Sequence, residues 1–169
     1  MTSSDNFNWD APAFFQRLTE TNIHARDGGY RFVRVSSLDG FHEALGQMLS
    51  AKAFVAVSDT SQGRMALDNT PHTRRVKTVF LARRHRVDDA KAREAAMADM
   101  RELFRQFMSM LILEKTRLEE NCIFIDANIA FNEIDRYFFS GCACAFFQIA
   151  VDTYTDLVFN PDEWLIPMT

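Results

Sequence analysis

The chain has 169 residues, 47% of them apolar and 25% charged, with a formal net charge of −4 and three cysteines. That size supports one domain burying roughly 70% of the surface its unfolded form exposes, and the composition excludes disorder and a disulfide-stapled miniature fold. No segment nears the roughly 20 apolar residues that a membrane-spanning helix needs. The N-terminus shows neither a basic lead nor an apolar run, so a cytoplasmic protein without a secretory signal is expected.

Residues 10–24 read as a helix capped by Asp10, with Pro12 in its first turn and Phe14, Phe15 and Leu18 on its apolar side. Asp27-Gly28-Gly29 is a turn signal, and the partial alternation over 30–35 predicts a strand. Asp39 then caps a predicted helix whose Phe41, Ala44, Leu45, Met48 and Leu49 recur at helical spacing. The unbroken apolar run at 53–57 is a buried strand, 64–67 a returning strand, and 75–85 a long strand with basic ends.

The longest element is an amphipathic helix over 88–118, opened by the paired acids Asp88 and Asp89 and closed near Lys115 and Arg117, a polarity that suits the helix dipole. Met97, Met100, Phe104, Phe107, Leu111 and Leu118 share one face, and 108–113 is apolar on nearly every side. That stretch requires a cover, either the N-terminal helix or another subunit. Two strands follow, at 122–131 and 141–153. The second alternates Ala145, Phe147, Ile149 and Val151 with Cys142, Cys144 and Phe146, so both of its faces are buried, as in a central strand.

The expected fold class is therefore α+β: a mixed or mostly antiparallel sheet of about five strands in ferredoxin-like order, with the long amphipathic helix on one face. The chain reads as a single domain, 1–169, with an N-terminal helical segment at 1–28 and a C-terminal arm at 157–169 around Trp164.

Charge is unevenly distributed along the chain. Arg74, Arg75, Lys77, Arg83, Arg84 and Arg86 fall in a tract without acids, whereas Arg136 is the only base after residue 118. A basic tract of this kind suits a protected strand edge, nucleic-acid phosphates or an acidic protein surface. Without interleaved aromatic residues, and in an acidic chain, nucleic acid is the less favoured partner. Glu133, Asp135, Asp156 and Asp162 would form the complementary surface on another copy, a head-to-tail contact that closes into a ring when its rotation permits.

Other candidates have plainer readings. Cys142 and Cys144 point to one side of a strand, as two metal-binding thiolates would, but no His or second Cys pair accompanies them, and core packing accounts for them. Asp126 and Asn128 could hold a hard cation, act as acid and base or line a small-molecule pocket, yet no phosphate loop or partnering His lies near. His24, His42, His72 and His85 lack ligand spacing and read as surface or loop residues. The loop with Asp59, Thr60, Ser61 and Gly63 reads as a hairpin connection ahead of an anion site. No catalytic residue, metal or cofactor is expected.

The order of elements over roughly 38–158, with the basic strand at 73–81, the long helix from Asp88 and the closing strand at 141–151, resembles the tail-completion or tail-terminator proteins of long-tailed bacteriophages and prophages. That resemblance implies a non-enzymatic structural protein. It implies a ring-forming homo-oligomer at the tail or head–tail junction, contacting neighbouring virion proteins, present in the host cytoplasm and then in the virion. The family carries no catalytic residues to transfer.

Overall fold

The structure, a computed structural model, describes residues 9–36, 51–58, 62–68, 71–139 and 141–165, the side chains of 134–139 excepted. The described elements run in the order α1 (Ala11–Thr21), α2 (Ile23–Gly28), β1 (Tyr30–Val35), β2 (Ala53–Ser58), β3 (Gln62–Ala66), β4 (His72–Arg84), α3 (Ala90–Glu119), β5 (Ile123–Ile125), β6 (Phe131–Phe139), β7 (Cys142–Tyr154) and a 3-10 turn at Pro161–Glu163. The helix expected over 39–49 and the loop at 59–61 lie outside the described residues.

The fold is α+β, with a mixed seven-stranded sheet. Its two long strands, β4 and β7, pair antiparallel over their full length from His72↔Tyr154 to Arg84↔Cys142. On the outer side of β4, β2 and β3 lie end to end, Val57 opposite Val79 and Gln62 opposite Val76. On the outer side of β7, β5 and β6 do the same, Ile125 opposite Val151 and Phe131 opposite Phe147. Seven strands thus fill five columns, with β1 parallel to β2 at one margin.

Two expectations are corrected. The ferredoxin-like order requires a strand between two parallel neighbours, but β1 bonds directly to β2 along six residue pairs, and β4 occupies β2's other edge. The strand expected over 122–131 is two strands. Asp126 breaks it: its side chain accepts the Asn128 amide at 3.0 Å, which turns the backbone out of the ladder before β6 begins. β6, past the predicted end, was not anticipated.

Local signals account for the helices. Asp10 accepts the Ala13 amide, with Pro12 at the helix start, and Asp89 accepts the Ala92 amide, each at 2.9 Å. The single helix expected over 10–24 is divided at Asn22, whose Oδ1 caps α2 through the Ala25 amide at 2.8 Å and whose amide group donates to Gln106 on α3. Gly29 closes α2 with a left-handed φ of 72°, a conformation that costs glycine least.

Both helical units cover the same face of the sheet. α1 packs on β1 and β2, and α3 lies over β4, β7 and β5. The buried stripe of α3, Met100, Leu103, Phe107, Leu111, Glu114 and Leu118, steps by three and four residues. Phe15 of α1 joins the layers, its ring centroid 5.8 Å from those of both Phe107 and Phe147. The opposite face carries a smaller cluster around Val35, Phe54, Ala56, Ala82 and Cys144.

Candidate assembly surface

β4 and β7 are adjacent and in register, so the basic tract meets the acidic part of the chain within one subunit. Arg74 lies opposite Asp152. Its Nη1 donates to Asp152 Oδ2 at 2.6 Å and its Nη2 to Asp126 Oδ2 at 2.7 Å. The Asn128 amide, and after it Arg74, hold the Asp126 carboxyl below the usual range. Both Asp126 oxygens are therefore engaged, and the residue serves as a turn former and ion-pair partner with no proton to exchange near neutrality. Asp152 Oδ1 is buried without a hydrogen-bond partner among the described residues.

At the other end of β4, Arg83 Nη1 donates to Asp99 Oδ2 at 2.7 Å, as does the Tyr30 hydroxyl at 2.7 Å, while His24 Nε2 lies 3.1 Å from Asp99 Oδ1. Burial, and then the Asp99 carboxylate, push the Tyr30 hydroxyl pKa up, so it stays a hydrogen-bond donor across the physiological range. The cluster ties α2, β1, β4 and α3 together. Asp99 lies off the apolar face that the sequence marks on the helix, and His24 was expected at the surface or in a loop. Asp99 precedes Met100 of the buried stripe, which brings it within reach of β4, and this adjacency was the available signal.

The remaining predicted residues are distributed as follows. Arg84 Nε donates to the Ala51 carbonyl at 3.1 Å. Arg75 and Lys77 are half-buried on β4, and Arg86 is exposed in the connection to α3. Arg101 of α3 grips Glu133 through two hydrogen bonds of 2.8 and 2.6 Å, which hold its carboxyl below the ordinary glutamate range. Asp156 and Asp162 are exposed on the arm, and the Asp135 side chain lies outside the described residues. The expectation that cationic and anionic surfaces are kept apart for contact between subunits is corrected for Arg74, Arg83 and Glu133. Strand pairing and helix packing bring them onto partners in their own chain.

Cys142 and Cys144 are 3% and 0% exposed, and burial pushes the Cys144 thiol up to about 12, so they pack as core residues. Among the described residues no group of His, Cys, Asp and Glu could hold a metal ion, and no helix is long and apolar enough to cross a membrane.

No protein-family model matches the chain, and no curated protein matches it at a significant level.

Among the described residues, large apolar side chains also stay uncovered. The flank of α3 toward α1 is covered: Trp9 donates to Glu114 at 3.1 Å, and Phe15 packs on Phe107. The flank toward β5 and β6 is a groove. Phe104, Met108 and Ile112 of α3 face Ile125, Ile129 and Phe131 across a cleft of about 300 Å³. A second cleft of about 310 Å³ shares Phe104 and Phe131 and extends it toward Met100 and Phe146. Ile112, Leu113 and Phe131 are 66%, 64% and 54% exposed. The apolar tract at 108–113 flagged this region; Leu111 is buried at the wall of the groove, while Ile112 and Leu113 stand in solvent.

The C-terminal arm is the second apolar surface. Val158, Trp164 and Leu165 are 81%, 61% and 104% exposed, and Phe159 stacks on Trp164 with centroids 6.1 Å apart.

Proposed function

We propose that this protein is a non-enzymatic structural subunit that works by self-association, and that its specific form is a ring component at the tail or head–tail junction of a long-tailed phage or prophage. The phage assignment rests on the likeness in element order. Self-association is supported by one observation: the groove beside α3 and the C-terminal arm each leave several large apolar side chains in solvent, the kind of cluster that marks an interaction surface. Apolar contacts replace the charge complementarity expected from the sequence as the basis of assembly.

Two other readings are less supported. A small-molecule site in the groove would need convergent free polar groups. Of the polar residues lining it, Asp126 is bound by Arg74, and Lys115 by Glu119. A nucleic-acid surface on β4 loses Arg74 and Arg83 to carboxylates of the same chain.

Light scattering after size-exclusion chromatography, at low and high salt, tests the proposal. Apolar assembly predicts an oligomer that persists or grows as salt rises, since salt screens only the charged contacts. A monomer at high micromolar concentration in both conditions overturns it.

A further inference from the structure

We propose that the groove between α3 and the β5–β6 edge receives the C-terminal arm of a second copy of this chain, so that each subunit gives one arm and accepts another. This rests on the assembly reading and names its contact.

The groove exists because five columns of sheet share two helical covers. α1 lies over β1 and β2, and α3 over β4, β7 and β5, with no described element beyond α3 on the β6 side. Phe131 therefore stays 54% exposed, with its ring centroid 5.2 Å from that of Phe104. A further apolar segment laid along this flank would complete the layer, as α1 completes the other.

The arm has the chemistry of that segment. Every residue from 156 to 165 is exposed. Its order is local: Asn160 Oδ1 accepts the Asp162 amide at 3.1 Å, the Trp164 amide donates to the Pro161 carbonyl at 3.1 Å, and Phe159 stacks on Trp164. A turn already formed around an aromatic pair loses less conformational freedom on docking than a loose tail would.

The acids of the arm are opposite in sign to two residues along the groove. The arm carries Asp162 and Glu163, follows directly on Asp156, and has no base. The linked clefts have Arg101 near one end and Lys115 near the other, about 21 Å apart along the helix at its normal rise. Each cation already holds one carboxylate, Arg101 that of Glu133 and Lys115 that of Glu119, in partly exposed pairs that an incoming acid would have to share.

The exit direction selects a second copy over the arm's own groove. The Thr155 amide donates to the Pro71 carbonyl at 3.0 Å and its hydroxyl lies 2.6 Å from that of Thr73. The arm is thus pinned to the β4 side of β7, whereas the groove is on the β5 side.

Three full-length proteins test this: the wild type, a groove variant Ile112→Glu, and an arm variant Phe159→Ser/Trp164→Ser. Both sites are exposed, so the fold should be retained, as circular dichroism would verify. Sedimentation velocity from low to high micromolar concentration gives the association state. Trp164 emission reports the arm, because Trp9 is already buried and constant. The wild type should associate, with emission shifting to the blue as concentration rises, and each variant should lose at least about tenfold in association constant. Mixing the two variants should restore pairs, since one supplies an arm and the other a groove. If the wild type associates but the variants do so equally, or if mixing restores nothing, the arm contact is overturned and the assembly reading stands. A monomer with Trp164 shifted to the blue at every concentration means that the arm closes on its own groove, which overturns both. A monomer with solvent-exposed Trp164 throughout overturns both as well.

Discussion

Trp9 donates its indole N–H to Glu114 Oε1 at 3.1 Å, joining residues 105 apart in sequence. Glu114 occupies a position in the buried stripe of α3 where an apolar residue would be expected, and it is 8% exposed. Its second support is Arg117, one turn on, through bonds of 3.0 and 2.7 Å. The pair closes the N-terminal segment over the long helix. Trp9→Phe, which removes the donor and leaves the carboxylate, should cost about 2 kcal/mol in chemical denaturation.

The same carboxylate sets a pH dependence. Arg117, followed by the Trp9 indole, holds the Glu114 pKa below its ordinary value of 4.5 despite burial, so the folded state binds the proton less readily than the unfolded one. The resulting stability is fully present above about pH 4.5 and lost as pH falls through the depressed value. Glu114→Gln should be less stable than wild type at pH 7, and the gap should narrow below pH 4.5. An equal gap at pH 3 and pH 7 would remove Glu114 from the account.

Arg83→Met tests the cluster on Asp99. The variant keeps most of the apolar stem but leaves Asp99, with a side chain 20% exposed, supported only by Tyr30 and His24. A loss of about 1–3 kcal/mol is expected. A double-mutant cycle with Tyr30→Phe should show coupling, because both donors share one oxygen. Additive effects would mean that the two bonds form independently.

Gly28→Ala opposes two local effects. Alanine favours a helix by about 1 kcal/mol, but a Cβ here would lie 3.0 Å from the Tyr30 ring and 3.1 Å from Arg83 Nη1. Both neighbours are pinned by Asp99, so the clash should win, lowering the melting temperature by a few degrees, or about 1 kcal/mol. A rise would show that Tyr30 and Arg83 yield freely.

The cysteines should differ in reactivity. Cys122 is exposed, while Cys142 and Cys144 are buried with thiols pushed up by desolvation. With Cys144 near 12, about one thiol in ten thousand is ionised at pH 8. A thiol reagent should modify one cysteine per chain rapidly in the native state and all three in denaturant. Rapid native modification of more than one would contradict the placement of β7 inside the sheet.

Much of the backbone was legible in the chain because its signals are local. Asp10 caps the helix that it was expected to cap, Asp89 caps the helix that it was expected to open from within, the three-and-four spacing marked the buried face of α3, and the two-sided apolar pattern of 142–151 marked a strand with neighbours on both edges. The break between β5 and β6 was hidden, since Asp126 turns the chain through a bond to Asn128 that competes with an otherwise strand-like run. The apolar tract at 108–113 pointed to the groove, and composition pointed to the arm.

Element types, caps and faces follow from the sequence alone, because each depends on residues a few positions apart. The fate of the charges does not. Arg74 meets Asp152 only once β4 and β7 settle into register, and Glu133 meets Arg101 only where β6 comes alongside the flank of α3. Tertiary packing also decided which flank of α3 stayed bare, since α1 occupies one side and the chain brings no described element to the other. Such contacts join residues tens of positions apart, and periodicity along the chain carries no record of which distant partner will arrive.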